Sequence, residues 1–283
     1  MSSLSAELQP LARTAGEDAQ RALREDVGAG DLTASLVDAG RRASARVIVR
    51  EAALICGRPW VDATLREVDK SISVNWLVDE GQRTKPNDVV LEIEGPARSL
   101  LTAERTALNF LQMLSAVATK TATYVEAVHG TRAQIVDTRK TLPGLRMAQK
   151  YAVSVGGGTN NRIGLFDAVL IKENHIAAAG GVSAALDAAR KIASGAKFIE
   201  IEVETLAQLR EALDARATMI LLDNMDLPTL HEAVRINAGR AVLEISGGVT
   251  LDNVRALAET GVDRISIGTL TKDVKATDFS MRF

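Results

Sequence analysis

The chain has 283 residues, 46% of them hydrophobic and 25% charged, with a formal net charge of −2. That is enough for one large domain or two modest ones with a full core, and its charge balance argues against a protein built to coat nucleic acid or an anionic membrane. No apolar run approaches the length of a membrane span, the first residues lack the basic and apolar regions of a signal peptide, and the expected compartment is the cytoplasm. The single cysteine, Cys56, excludes an internal disulfide and a cysteine metal cluster; in "AALICG" it reads as a buried structural thiol.

Residues 5 to 25 place Leu8, Leu11, Ala12, Ala15, Ala19, Ala22 and Leu23 at helical spacing. The turn signal "EDVGAGDLT" follows. From residue 45 to 101 the chain reads as short strands, "ARVIVRE", "SISVNWLV" and "DVVLEIEG", with a helix around residues 59 to 69. Glycines and prolines punctuate this part, which is expected to form a small α+β domain over residues 1–112, joined by the tail 271–283. The pattern then changes. "LLTAERTALNFLQMLSAVATKTATYVEAVHG" is strongly helical, and up to residue 270 strand-like runs alternate with helices such as Leu206 to Ala215 and Leu227 to Asn237. The strands are "AQIVD", "DAVLI", "FIEIEVE", "TMILLDN", "AVLEISGG" and "RISIGT". Repeated βα units imply a parallel sheet, and their spacing favours a (β/α) barrel over residues 113–270.

Alternate residues on a strand face opposite ways. In "FIEIEVE", Ile199, Ile201 and Val203 form one face and Glu200, Glu202 and Glu204 the other, and carboxylates do not pack under helices. The same parity sets Lys172 opposite Ile171, Asp223 opposite Leu222, Glu244 and Ser246 opposite Ile245, and Asp137 opposite Val136. Polar residues therefore collect at C-terminal strand ends, where βα barrels place their active sites. The last two strand ends carry Gly247, Gly248 and Gly268, which let backbone N–H groups approach a phosphate closely, beside a helix starting near Thr250. Between Arg139 and Lys172 stand six basic residues against one acid, Asp167, a composition suited to an anionic ligand. Arg146 and Lys150 are spaced i,i+4 on a helix, and Lys150 reads as part of a solvated face. Acids beside a phosphate site call for a divalent cation such as magnesium, or for a cationic transition state to stabilise.

These stretches are recognisable. "VDTRKTLPGLRMAQKYAVSVGGG…NRIGLFDAVLIKENH", "ERTALNFLQ", "EIEVET", "ILLDN", "EISGGVT", "ETGVDRISIGTLTK" and "EDVGAGDLT" closely resemble the motifs of the quinolinate phosphoribosyltransferase family, over nearly the whole chain. The resemblance implies an N-terminal α/β sandwich and an incomplete α/β barrel. It implies transfer of phosphoribosyl from phosphoribosyl pyrophosphate to quinolinate with decarboxylation, magnesium as cofactor, and a homodimer. It makes Arg139, Arg162 and Lys172 ligands of the quinolinate carboxylates, with Asn161, Thr138 and His175 lining the pocket and Arg105 reaching across from the other subunit. Lys140 would face the pyrophosphate. Glu202 and Asp223 would flank the ribose and its magnesium. Ser246, Gly247, Gly248, Gly268, Thr269 and Leu270 would hold the ribose phosphate.

One position departs from the family. Its members usually carry His-Arg after the glycine run, where this chain has Asn161-Arg162. An amide is a neutral donor, and exchanging a charge-assisted hydrogen bond for a neutral one weakens binding by about 1 kcal/mol. Asn161 is thus the one feature favouring a related transferase with a shifted pyridine-carboxylate preference. A Schiff-base aldolase using Lys172 is a rival of another class, although flanking arginines would keep that lysine charged. A homologue without activity is the third reading, and the intact acids and lysines argue against it.

Overall fold

The structure is a computed structural model that describes residues 3–283, with side chains described from residue 11 onward. Leu8, expected on the first helix's apolar face, lies outside the residues whose side chains are described. In chain order the elements are α1 (Ser3–Val27), β1 (Arg42–Val49), β2 (Ala53–Leu54), α2 (Arg58–Val68), β3 (Ser73–Trp76), β4 (Arg83–Thr84), β5 (Val89–Pro96), α3 (Ala97–Ala127), β6 (Gln134–Val136) and α4 (Arg146–Val155). There follow β7 (Val169–Ile171), α5 (Glu173–Ala179), α6 (Val182–Ile192), β8 (Ile199–Val203), α7 (Leu206–Asp214), β9 (Met219–Asp223), α8 (Leu227–Asn237), β10 (Val242–Ser246), α9 (Leu251–Glu259), β11 (Arg264–Ser266), α10 (Thr269–Lys272) and β12 (Phe279–Arg282). Two compact units divide them. The first holds the residues up to Lys120, Leu142–Gly156 and Asp273–Phe283; the second holds Thr121–Thr141 and Gly157–Lys272.

The first unit is built on an antiparallel sheet ordered β12-β1-β5-β3. Alternation along β1 buries Ala45, Val47 and Val49 and leaves Arg42 and Arg46 exposed. The buried set packs with Leu91 and Ile93 of β5, Val61 and Leu65 of α2 and Leu100, Leu108 and Leu111 of α3. On the outer face Arg46 pairs with Glu92 at 3.0 Å. The turn into α2 requires Gly57, whose φ is +118° and whose added Cβ would stand 3.3 Å from Leu114. Glu80 accepts from the backbone N–H groups of Gly57 and Arg58 there, at 2.8 and 3.1 Å. The neighbouring Cys56 is fully buried, and burial, with the Glu80 carboxylate second, pushes its thiol well up. A thiol so suppressed is structural rather than reactive.

Lys150 corrects the sequence reading. It is 2% exposed, on a helix that also buries Ala148, Gln149, Ala152 and Val153. The i,i+4 spacing with Arg146 is the same whether a helix face meets solvent or protein. Only the charge argues for solvent, and tertiary packing overrides it.

The second unit is a six-stranded parallel sheet ordered β6-β11-β10-β9-β8-β7. The first strand lies beside the last, so the strands follow one another around an incomplete (β/α) barrel whose opening falls between β6 and β7. A single bridge, Val136 to Thr159, lays the segment after the glycine run along the open edge of β6, with Thr159 N–H donating to the Ile135 carbonyl at 2.8 Å. Ile135, Ile171, Ile201, Val203, Ile220, Leu222, Ile245 and Ile265 face the helices, in one core with Leu186, Leu209, Leu230 and Val254. Two helices begin where their sequences stop the chain locally: Thr205 accepts from Gln208 N–H before α7, and Asp226 from Thr229 N–H before α8.

The parity expected for Asp137 is also corrected. Val136 is in register with Ser266, Ser266 with Ser246, and Ser246 with Asp223. Val136 therefore shares the side of those polar residues, and Asp137 lies beyond the last paired residue of β6.

Candidate active site

The strand ends of the second unit gather most of the residues singled out above. Glu202 is half-buried on β8, with Lys172 Nζ 3.7 Å from its Oε2. Burial is the main cause that raises its carboxyl above the usual 4.5; Asp223 adds to this and Lys172 opposes it. Asp223, at the end of β9, accepts from Asn224 Nδ2 at 2.7 Å. Glycine is required next to this pair. Gly247 has φ +97°, and a Cβ on it would stand 3.3 Å from Asn224 Oδ1 and 3.8 Å from Asp223 Oδ1. The loop continues through Gly248, whose carbonyl accepts from Asn253 Nδ2 at 2.9 Å, while Asn253 Oδ1 takes the Thr250 N–H at 2.8 Å. Ser246, Gly247 and Gly248 are thus held as one turn ahead of α9.

Lys140 lies over Gly268. A Cβ at Gly268 would meet Lys140 Cδ at 2.9 Å and Thr138 Oγ1 at 3.6 Å. Lys140 N–H donates to Thr138 Oγ1 at 3.0 Å, and Thr271 Oγ1 donates to the Lys140 carbonyl at 2.9 Å. Thr269 is half-buried at the start of α10. Leu270 has its side chain in the hydrophobic core, so only its backbone is available to a phosphate.

The cationic side is equally built. Arg162 is half-buried; burial lowers its pKa most, and nearby Arg139 lowers it further, against the raising influence of Glu200 and Asp167. Guanidiniums are matched in shape to planar carboxylates and phosphates. Lys172 is exposed at the start of α5, and its backbone N–H donates to His175 Nδ1 at 3.0 Å. His175 is exposed, and its Nδ1 caps the start of α5.

Asn161 is turned inward. Its Nδ2 donates to Glu244 Oε1 at 3.3 Å, and its Oδ1 accepts the Arg162 N–H at 2.7 Å. The amide expected to meet a substrate carboxylate is engaged with the protein's own. Arg105 belongs to the first unit, exposed on α3 with Glu104 at 4.0 Å. A cavity of about 340 Å³ in the first unit, lined by Asp18, Arg21, Asp26, Asn109 and Phe110 among others, contains none of the predicted site residues. Arg264 escapes the sequence reading. It donates from Nε to Glu244 Oε2 at 2.7 Å, and its alternation with Ser266 on β11 is the available signal.

Fold and site together define an α/β-barrel enzyme with acids, cations and a glycine-lined turn at its strand ends. Comparison with known proteins narrows this. Residues 31–115 match the N-terminal domain of quinolinate phosphoribosyl transferase, and residues 117–282 match its C-terminal domain. The nicotinate-nucleotide pyrophosphorylase [carboxylating] of Mycobacterium leprae is 43% identical over 272 residues, covering 93% of this chain and 94% of that protein. The probable nicotinate-nucleotide pyrophosphorylase [carboxylating] of Bacillus subtilis is 39% identical over 257 residues, covering 91% and 89%. The solved nicotinate-nucleotide pyrophosphorylase of Francisella tularensis superposes with a TM-score of 0.93 at 42% identity, covering 96% of each chain. The chain belongs to the quinolinate phosphoribosyltransferase family.

Proposed function

We propose that this enzyme transfers phosphoribosyl from phosphoribosyl pyrophosphate to quinolinate with decarboxylation, giving nicotinate mononucleotide, pyrophosphate and carbon dioxide in NAD biosynthesis. The observation that carries the reading is the contact of a cationic group, Lys172 Nζ, 3.7 Å from Glu202 Oε2, with an acid end formed by Glu202 and Asp223 in one unit. A dicarboxylate suits the first and a cationic ribose centre the second.

In this reading Arg139, Arg162 and Lys172 bind the quinolinate carboxylates, and Thr138 and His175 line the pocket. Ser246, Gly247, Gly248, Gly268, Thr269 and the Leu270 backbone hold the ribose phosphate. The bond from the ribose carbon to pyrophosphate breaks while Lys140 meets the departing charge. Glu202 and Asp223 stabilise the positive charge that develops at that carbon. The pyridine nitrogen forms the new bond and becomes positive. Electrons of the bond to the adjacent carboxylate then pass into the ring, carbon dioxide leaves, and the ring carbon takes a proton.

Magnesium is part of the proposal. Among the described residues no group of three or more His, Cys, Asp and Glu side chains forms a metal cage. Two carboxylates, Glu202 and Asp223, fit an ion that is held by one or two acids plus substrate phosphates and keeps several waters. Bound there, it would neutralise charge on the pyrophosphate. The catalytic domain of this reading is residues 113–270, and the working unit is a cytoplasmic homodimer in which Arg105 reaches the partner subunit's site. No helix among the described residues is long and apolar enough to cross a membrane.

The test is release of carbon dioxide and nicotinate mononucleotide from quinolinate and phosphoribosyl pyrophosphate, with and without magnesium. Product from quinolinate only when magnesium is present supports the whole reading. Faster turnover of nicotinate than of quinolinate would overturn the substrate assignment, and unchanged turnover in chelator would overturn the metal.

A further inference from the structure

We infer that Glu244 is a positioning residue for Arg162, acting through Asn161, and that it governs affinity for the dicarboxylate rather than the rate of the chemistry. The inference rests on Arg162 being a quinolinate ligand.

Arg162 sits on an irregular segment with no helix or strand to fix it. Four successive backbone N–H groups of that segment are instead tied to side-chain oxygens. Asn161 N–H donates to Asp137 at 2.8 Å, Ile163 and Gly164 N–H donate to the two oxygens of Asp167 at 2.8 and 2.9 Å, and Arg162 N–H donates to Asn161 Oδ1 at 2.7 Å. Asp167 is itself paired with Lys197 at 3.3 Å. A carboxylate accepts from either oxygen, so three of these ties are indifferent to rotation. The fourth is not. An amide turned by 180° would present its NH2 to the Arg162 N–H and its oxygen to whatever lies behind.

Glu244 lies behind. Its carboxylate is fully buried, with Oε1 facing Asn161 Nδ2 at 3.3 Å and Oε2 taking Arg264 Nε at 2.7 Å. Only one amide orientation gives Glu244 a donor and Arg162 N–H an acceptor at once. A buried carboxylate is costly unless paired, and Arg264 supplies the pairing charge. The second oxygen is then free to hold the amide that holds the arginine's backbone.

The experiment measures kcat and both KM values for wild type, Arg162→Ala, Glu244→Gln, Asn161→Asp and the double variant Asn161→Asp/Glu244→Gln. In Glu244→Gln the new NH2 must face either Arg264 or Asn161, so one bond is lost. The KM for quinolinate should rise roughly tenfold, with kcat and the KM for phosphoribosyl pyrophosphate changing less than about twofold. Asn161→Asp sets two carboxylates together and should raise the quinolinate KM further. The double variant reverses the bond. The introduced glutamine would donate from its amide to the introduced aspartate and accept from Arg264 on its amide oxygen. The aspartate would still accept from Arg162 N–H. The quinolinate KM of the double variant should return to within about threefold of wild type.

An unchanged quinolinate KM in Glu244→Gln overturns the inference, as does an equal loss in kcat and both KM values. If that single variant folds poorly, the double decides: restored affinity supports the link, while a folded double without restoration, or an unfolded one, overturns it. Arg162→Ala separates the two readings. If it leaves the quinolinate KM unchanged, the ligand role of Arg162 is what fails; if it raises that KM and Glu244→Gln does not, only the link through Glu244 fails.

Discussion

Strand β8 carries two glutamates only two positions apart, and their surroundings differ sharply. Glu202 is half-buried, with Lys172 Nζ at 3.7 Å. Glu200 is 1% exposed, and its Oε1 has no hydrogen-bond partner among the described residues. Burial, with Glu244 second, drives the Glu200 carboxyl well above the usual 4.5. Beside it Glu244 is paired with Arg264, whose Nη2 also has no hydrogen-bond partner among the described residues. The same side chain on the same face thus makes a half-exposed rim and a buried floor. Residue type and strand parity assign the face; burial and partners assign the role.

Replacing the rim acid gives the largest effect. Glu202→Ala should lower kcat by about 10²–10³-fold, as for loss of a group that stabilises charge only in the transition state, while the quinolinate KM moves a few-fold at most. Equal losses in turnover and affinity would make Glu202 a binding residue and dissolve the contrast.

The floor should answer in stability, through pH. A carboxyl raised on folding contributes stability that is full below its unfolded value, near 4.5, and that is lost as pH rises through its folded value. Glu200→Gln removes this dependence. Thermal melts across pH should show the variant gaining on wild type toward pH 8, by a few degrees, and losing that advantage near pH 4. Parallel curves for the two proteins would show that Glu200 carries no proton-linked cost.

The smallest effect isolates burial itself. Arg46 and Glu92 meet at 3.0 Å on an exposed sheet face, against 2.7 Å for Arg264 and Glu244 inside the barrel. Glu92→Gln should change the melting temperature by no more than about 2 °C, because exposed pairs contribute about 0.2–1 kcal/mol. A shift as large as that of a buried pair would mean that distance, not burial, sets the value.

Much of the barrel is legible in the sequence because parallel strands buried on one face and polar on the other leave a period-two record. "FIEIEVE" is the clearest example, and the helix expected over Leu227 to Asn237 is α8. The failures share a cause. Local spacing is all that the sequence offers for Lys150 and Asp137, and their surroundings come from residues far along the chain. Arg264 goes unnoticed because a lone arginine on a three-residue strand shows no partner until register puts Glu244 beside it. Asn161 is placed at the pocket by the family resemblance alone. Its inward turn depends on a carboxylate 83 residues away.

The pairing of β12 with β1 has a consequence in time. Arg50 and Ser280 are hydrogen-bonded across 230 residues of chain, and Phe279 to Arg282 lie in register with Arg46 to Val49. At about 5–20 residues per second, a ribosome needs roughly 10–50 s to make what lies between. During that interval the outer edge of β1 is an unpaired strand, open to any other extended chain. The second unit is synthesised inside this window, so the order of translation leaves the first sheet waiting on residues that come after the whole barrel.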